Sequence, residues 1–155
     1  MEDQSNEIIT AQGKLDLEAE LEDLVDVVRP RLSRRIHQAK EFGDLPEGGE
    51  FDDAKNELGF VEGRIKYLHE VLTRAKIVDA HDPSVVSPGG FAEVTDSDGK
   101  QQVLNIVGPA EVDPIRGKIS NQSPVGQALL GKRAGDKVQA QAPAGIIEFL
   151  IKKVW

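Results

Sequence analysis

Residues 51–75 read FDDAKNELGFVEGRIKYLHEVLTRA, with apolar side chains at Phe51, Ala54, Leu58, Val61, Ile65, Leu68, Leu72 and Ala75. The steps alternate three and four, the a/d spacing of a heptad seam. The spacing predicts one long helix with a narrow apolar edge, and places Leu58 and Ile65 inside that edge. Immediately before it, residues 43–49 read GDLPEGG, where three glycines and a proline in seven positions mark a turn. Upstream, Leu17, Leu21, Leu24, Val28, Leu32, Ile36 and Ala39 also recur at helical intervals. Two long helices joined by a short turn pair antiparallel. At about 1.5 Å per residue, helices of about 30 residues form a rod about 45 Å long. Such a hairpin buries only a stripe and is expected to be an arm. Thr10 is a suitable N-cap for the first helix, and the acids that follow suit the positive end of its dipole. Pro30 lies within this helix and should bend it, not end it.

From about residue 78 the pattern changes. Ile77–Asp79 through Pro88–Gly90 reads as a linker. Phe91–Val94 and Gln102–Val107 read as strands around a Thr95–Lys100 turn that contains Asp98-Gly99. Ser123-Pro124 opens a short helix, serine at N-cap and proline at N1, and Gly131 closes it. Lys137–Gln141 and Ile146–Val154 read as two more strands around Pro143-Ala144-Gly145. The fold class is therefore α+β: a coiled-coil domain over residues 1–78 and a small, mainly antiparallel β domain with one short helix over 79–155.

Composition narrows the function. The 155 residues contain no cysteine, which removes disulfides and thiolate metal sites. No run of about 18 apolar residues is present, so no membrane partner is expected. Met1–Asn6 is polar and acidic, unlike the basic and then apolar start of a secretion signal, and a cytoplasmic protein is expected. A net charge of −8 argues against a surface that wraps duplex DNA. The charge is blocked: residues 1–26 are acidic, 29–40 basic and 41–53 acidic again.

The turn is the sharpest candidate site. Asp44 and Glu47 lie on it, with Glu50 close behind. Two carboxylates are too few to hold Mg²⁺ alone but enough to complete a site that another molecule supplies. The competing reading is a solvated turn, since Asp and Gly favour turns on conformational grounds. Lys40 and Lys55 flank the turn and could touch a phosphate backbone, or simply be solvated. His37, His69 and His81 share no ligand spacing, and no serine has a paired base. Phe149 and Trp155 read as end-of-strand packing.

These residues resemble a known family. Arg29-Pro30, Gly43-Asp44-Leu45 with Glu47 and Glu50-Phe51, and Gly59-Phe60-Val61-Glu62-Gly63-Arg64-Ile65 are similar to the Gre family of bacterial transcript cleavage factors. Ser120 to Lys132 resembles the short helix of that family's C-terminal domain, and Pro143-Ala144-Gly145 its final turn. The likeness covers about residues 8 to 155 and is nearer the GreA branch than GreB. It implies a C-terminal domain of FK506-binding-protein-like fold that docks, through Ser123 and Pro124, on the secondary channel of RNA polymerase. It implies that the coiled coil enters the channel and that Asp44 and Glu47 help hold a catalytic Mg²⁺ jointly with the polymerase, promoting hydrolysis of backtracked RNA. It places Lys40 and Lys55 near the nascent RNA 3′ end. No cofactor of its own, no catalytic activity of its own and a monomeric state follow as expectations.

The tip departs from the family's usual Gly-Asp-Leu-Ser-Glu-Asn-Ala-Glu-Tyr: Pro46, Gly48, Gly49 and Phe51 replace serine, asparagine, alanine and tyrosine. A channel-binding regulator without cleavage is the alternative, and a prolyl isomerase or chaperone is a third reading that rests on fold alone.

Overall fold

The computed structural model describes residues 7–41, 43, 49–78 and 82–155. Elements run in the order β1 (Ile8–Thr10), α1 (Ala11–Asp23), a π-helical turn (Leu24–Val28), α2 (Arg29–Glu41), α3 (Glu50–Arg74), β2 (Lys76–Val78), β3 (Phe91–Asp96), β4 (Gln101–Val107), β5 (Lys118–Ser120), α4 (Pro124–Leu129), β6 (Lys137–Ala142) and β7 (Gly145–Val154). This is the expected α+β class, a helical hairpin and a curled, mainly antiparallel sheet. Among the described residues no helix is long and apolar enough to cross a membrane.

The chain divides into two compact units, Lys14–Arg74 and the remainder on either side of it. The sequence boundary after residue 78 assigned β1 and β2 to the N-terminal domain; by contacts both strands group with the sheet-bearing unit.

In the Lys14–Arg74 unit the heptad stripe is covered only in part, with Phe51 and Val61 half-buried. Ala54, Ile65 and Leu68 are buried, and Leu58 is half-buried because a pair of helices covers only one side of it. Leu17, Leu32 and Ala39 are buried on the first helix. Near the end of α3 the buried position is Val71, with Leu72 half-buried. The helix continues through Pro30. A proline cannot donate to the carbonyl four residues back and its ring crowds that carbonyl. The preceding turn widens to absorb this: the Arg29 N–H bonds the Leu24 carbonyl, five residues back.

Charge sets the hairpin register. Arg64 grips Glu20 with two bonds of 2.8 and 3.0 Å. Arg29 lies 3.6 Å from Glu62, and Arg35 bonds Glu50 at 2.7 Å and Glu57 at 2.9 Å. As the first helix ascends through 20, 29 and 35, its partners descend from 64 through 62 to 57 and 50, which is antiparallel pairing. Hydrogen bonds donated to Glu20 push the Arg64 pKa further up, and those donated to Glu50 and Glu57 do the same for Arg35. Both arginines stay charged at any working pH.

The sheet-bearing unit has a five-stranded sheet of order β5-β4-β3-β7-β6 and a separate parallel pair, β1-β2. The hairpins β3–β4 and β6–β7 are antiparallel, as the turn residues predict, whereas β5 joins the edge of β4 in parallel. Three strands were not legible beforehand. β1, β2 and β5 are three residues each, too short for an alternating pattern, and Ile77 and Val78 belong to β2, not to a linker. Alternation places Ala92, Val94, Leu104, Ile106, Val138, Phe149 and Ile151 on one face of the sheet, where Leu129 of α4 completes the core.

One buried charge closes this unit. The Glu111 carboxylate accepts from the Thr10 N–H at 2.9 Å, the Gly108 N–H at 3.1 Å and the Thr10 hydroxyl. The Thr10 Oγ1 in turn accepts from the Gly13 N–H at 3.0 Å, the N-cap bond of α1. Gly13 has to be glycine here, because a Cβ would overlap the Glu111 carboxylate. The first turn of α1 carries no acid of its own; the carboxylate at its positive end arrives from 101 residues away. Close by in sequence, Glu7 Oε1 is buried without a hydrogen-bond partner among the described residues, and burial raises the Glu7 pKa.

Two outcomes follow. Glu111→Ala leaves buried donors unpaired at about 1–3 kcal/mol each, so urea titration should show a loss of about 3 kcal/mol, with Glu111→Gln losing less. Glu7 behaves oppositely. Its raised pKa means the fold disfavours the charged form, so its stabilising share is present at low pH and lost as pH rises through the folded pKa. Glu7→Gln should therefore raise Tm at pH 7, and the gain should vanish below the ordinary carboxylate range.

Candidate functional site

The end of α2, the beginning of α3 and the connection between them form the candidate site. Asp44 and Glu47, with Pro46 and Gly48, lie outside the described residues. Their frame is described. Gly43 takes the left-handed conformation at φ 71° and its N–H bonds the Lys40 carbonyl at 3.2 Å, which ends α2. α3 starts beyond Gly49, whose carbonyl receives the Asp53 N–H at 3.1 Å. Glu50, Asp52 and Asp53 occupy its first turn, where the dipole favours acids.

Arg35 fixes the two helices to each other just below the connection. Its guanidinium spans Glu50, the first residue of α3, and Glu57, about two turns further on. Glu50, read from sequence as a third tip acid, is committed to this clamp. Lys40 and Lys55 are both exposed. Lys40 Nζ sits 5.6 Å from the centre of the Phe51 ring, a cation–π contact that draws it toward α3. Phe51, where the family usually has tyrosine, thereby holds a base at the foot of the turn. The role of Arg35 had no local signal: in sequence it is one of several bases in a block, and only the pairing of helices selects it.

The second candidate, Ser123-Pro124, lies on the sheet-bearing unit. Ser123 caps α4 as its sequence predicts: Oγ accepts from the Gly126 N–H at 3.0 Å and donates to the Ser120 carbonyl at 2.7 Å. Both functions of the hydroxyl are used inside the chain, so Ser123 shapes this segment and Pro124 presents an exposed ring. A Cβ at Gly126 would overlap the Ser120 carbonyl, so the turn packs directly on the helix backbone. Sequence reasoning missed Glu111, since nothing local links it to Thr10.

Comparison with known proteins agrees across the chain. Residues 7–77 match the family model described as transcription elongation factor, N-terminal, and residues 81–155 match that described as transcription elongation factor, GreA/GreB, C-term. The transcription elongation factor GreA of Thermoanaerobacter pseudethanolicus is 46% identical over 150 residues, covering 95% of this chain and 96% of the relative. That of Clostridium novyi is 45% identical over 157 residues, covering 99% of each, and that of Chloroflexus aggregans is 44% identical over 149, covering 94% and 95%. Among solved structures, GreA factor homolog 1 of Thermus thermophilus is similar at 29% identity and a TM-score of 0.45, over 97% of this chain and 99% of that one. Two family models that together span nearly every residue, and relatives of matching length, establish that this chain belongs to the GreA/GreB family of transcription elongation factors.

Proposed function

We propose that this chain is a cytoplasmic, monomeric factor that binds RNA polymerase, enters its secondary channel with the α2–α3 hairpin and stimulates cleavage of backtracked RNA. The observation that carries the reading is the Arg35 clamp on Glu50 and Glu57 directly below a connection that bears two further acids. An ion-paired frame at the foot of a loop positions what the loop carries, and family membership supplies the partner.

In this reading Asp44 and Glu47 are carboxylates lent to the polymerase. As hard oxygen donors they fit Mg²⁺, and two of them leave most of a six-coordinate shell to polymerase carboxylates, RNA phosphate and water. When bound there, the ion supplies activation of the attacking water. The chain's own residues do the rest. Asp44 and Glu47 bring negative charge to the reacting end of the RNA. Lys55, and Lys40 once it leaves Phe51, contact the RNA backbone. The chain has no complete active site of its own. Docking falls to the segment around Ser123 and Pro124, on the other unit.

The substituted tip favours one specific alternative, a channel-binding regulator without cleavage. Pro46 restricts the turn, Gly48 and Gly49 loosen it, and Phe51 lacks a hydroxyl. The same experiment decides between the two. Wild-type protein added to a backtracked elongation complex should release short RNA, and Asp44→Asn with Glu47→Gln should abolish release while still competing with wild type for binding. Binding without release by the wild type would establish the regulator instead.

Docking should follow the cap and not the hydroxyl. Ser123→Ala removes an N-cap bond typically worth about 1 kcal/mol and should weaken polymerase binding about fivefold, whereas Ser123→Asp caps equally well and should restore it. Equal weakening by both, measured by titration against polymerase, would assign the hydroxyl a direct contact.

A further inference from the structure

The face of the sheet opposite its core carries an unusual row. Phe91 of β3 is the register partner of Asn105 of β4, and Asn105 is the register partner of Lys118 of β5. The row is continued by Trp155, whose backbone exchanges both hydrogen bonds with Phe91 at 2.8 and 3.1 Å. Aromatic, amide and cation therefore stand side by side across neighbouring strands, about 5 Å apart per strand. None is needed for the core, which takes the alternate residues Ala92, Val94, Leu104 and Ile106.

Beside this row lies a cavity of about 420 Å³, with Val78, Pro88, Phe91, Asn105, Arg116 and Lys118 in its wall. Small-ligand sites run from roughly 300 to 1,000 Å³, so this one suits a compact ligand. Its chemistry is graded. At one side the Phe91 ring is held flat against Trp155, centroids 5.7 Å apart and planes within 9°. In the middle stands Asn105, whose buried Oδ1 has no hydrogen-bond partner among the described residues and so is an unused acceptor. At the other side Lys118 is half-buried and forms no ion pair among the described residues. Arg116 is held only at 3.6 Å by Asp113 and keeps most of its guanidinium exposed.

We infer that this row binds a small phosphate monoester that carries a flat heterocycle, a ligand of nucleoside monophosphate type. Its phosphate sits on Lys118 and Arg116, which present N–H donors to an oxyanion. The heterocycle lies toward Phe91 and Pro88, where an aromatic platform accepts any base by stacking. A ring N–H or amino group donates to Asn105 Oδ1 once the Asn105 amide turns toward the cavity, since that oxygen is covered before binding. The site is separate from the hairpin tip and from Ser123-Pro124, and it does not depend on polymerase binding.

The full chain tests this directly, because Trp155 is its sole tryptophan and stacks on a wall residue of the cavity. AMP is titrated against the protein, read by Trp155 fluorescence and by the Asn105 side-chain amide resonances. Saturable binding is expected, with adenosine and inorganic phosphate each at least about tenfold weaker than AMP. Lys118→Met should weaken AMP at least about tenfold with Tm unchanged, and Asn105→Asp, which adds a negative charge to the row, should do the same. The inference is overturned by absence of saturation up to about 10 mM AMP, by adenosine or phosphate alone binding as tightly as AMP, or by both variants binding like wild type.

Discussion

A single carboxylate, Glu111, does two jobs that the sheet-bearing unit cannot do without. It satisfies the N–H groups of Thr10 and Gly108, which would otherwise be buried without partners, and it places negative charge at the start of α1. Through the Thr10 hydroxyl it also orders the residue that caps the helix. β1 has only three residues and pairs with a strand equally short, so its own ladder is weak. The Glu111 bonds to Thr10 tie that short pairing to the rest of the unit, because a buried polar group left unpaired is costly. The absence of a side chain at Gly13 belongs to the same device.

The hairpin is organised by a different balance. Its seam is thin: Leu32, Ala54 and Leu68 are fully covered, while Leu21, Leu24, Leu58 and Val61 remain half-buried. Burial of this kind fixes which edge faces inward but constrains register weakly. The arginine–glutamate rungs supply the missing constraint. The acidic start of the first helix meets Arg64 of α3, and the basic block that follows meets the acids at 50, 57 and 62. A parallel or slipped arrangement would set like charges opposite one another. Exposed pairs of this kind contribute little singly, about 0–1 kcal/mol, so their value here lies in selecting the alignment more than in strength. The same rungs flank the acidic connection, so register and the proposed function share one set of residues.

The two candidate sites illustrate different ways a side chain reaches its role. Ser123 is positioned by a local motif, serine before proline at a helix start, and its hydroxyl is consumed by that motif. Arg35 and the Phe91–Asn105–Lys118 row are positioned only by pairing between elements. A local motif can be read anywhere it occurs. A cross-strand row exists only once three separate segments have found their register.

What the sequence determined by itself was everything with a repeat or a local conformational rule. The heptad spacing from Phe51 to Leu68 defined the hairpin edge, the glycine-rich stretch at 43–49 defined the break between α2 and α3, alternation defined β3, β4, β6 and β7, and Ser123-Pro124 defined α4. Asp44 and Glu47, between Lys40 and Lys55, form a group in the sequence, on which the proposed function rests. Tertiary structure alone decided the rest. β1, β2 and β5 are too short to show a period and exist because a neighbouring edge accepts them. The turn before Pro30 widened because a neighbouring carbonyl had to be cleared. Glu50 went to Arg35, and Glu111 to Thr10 across 101 positions, because hydrogen bonding and charge pairing act through space, and sequence separation carries no information about which partner lies within 3 Å.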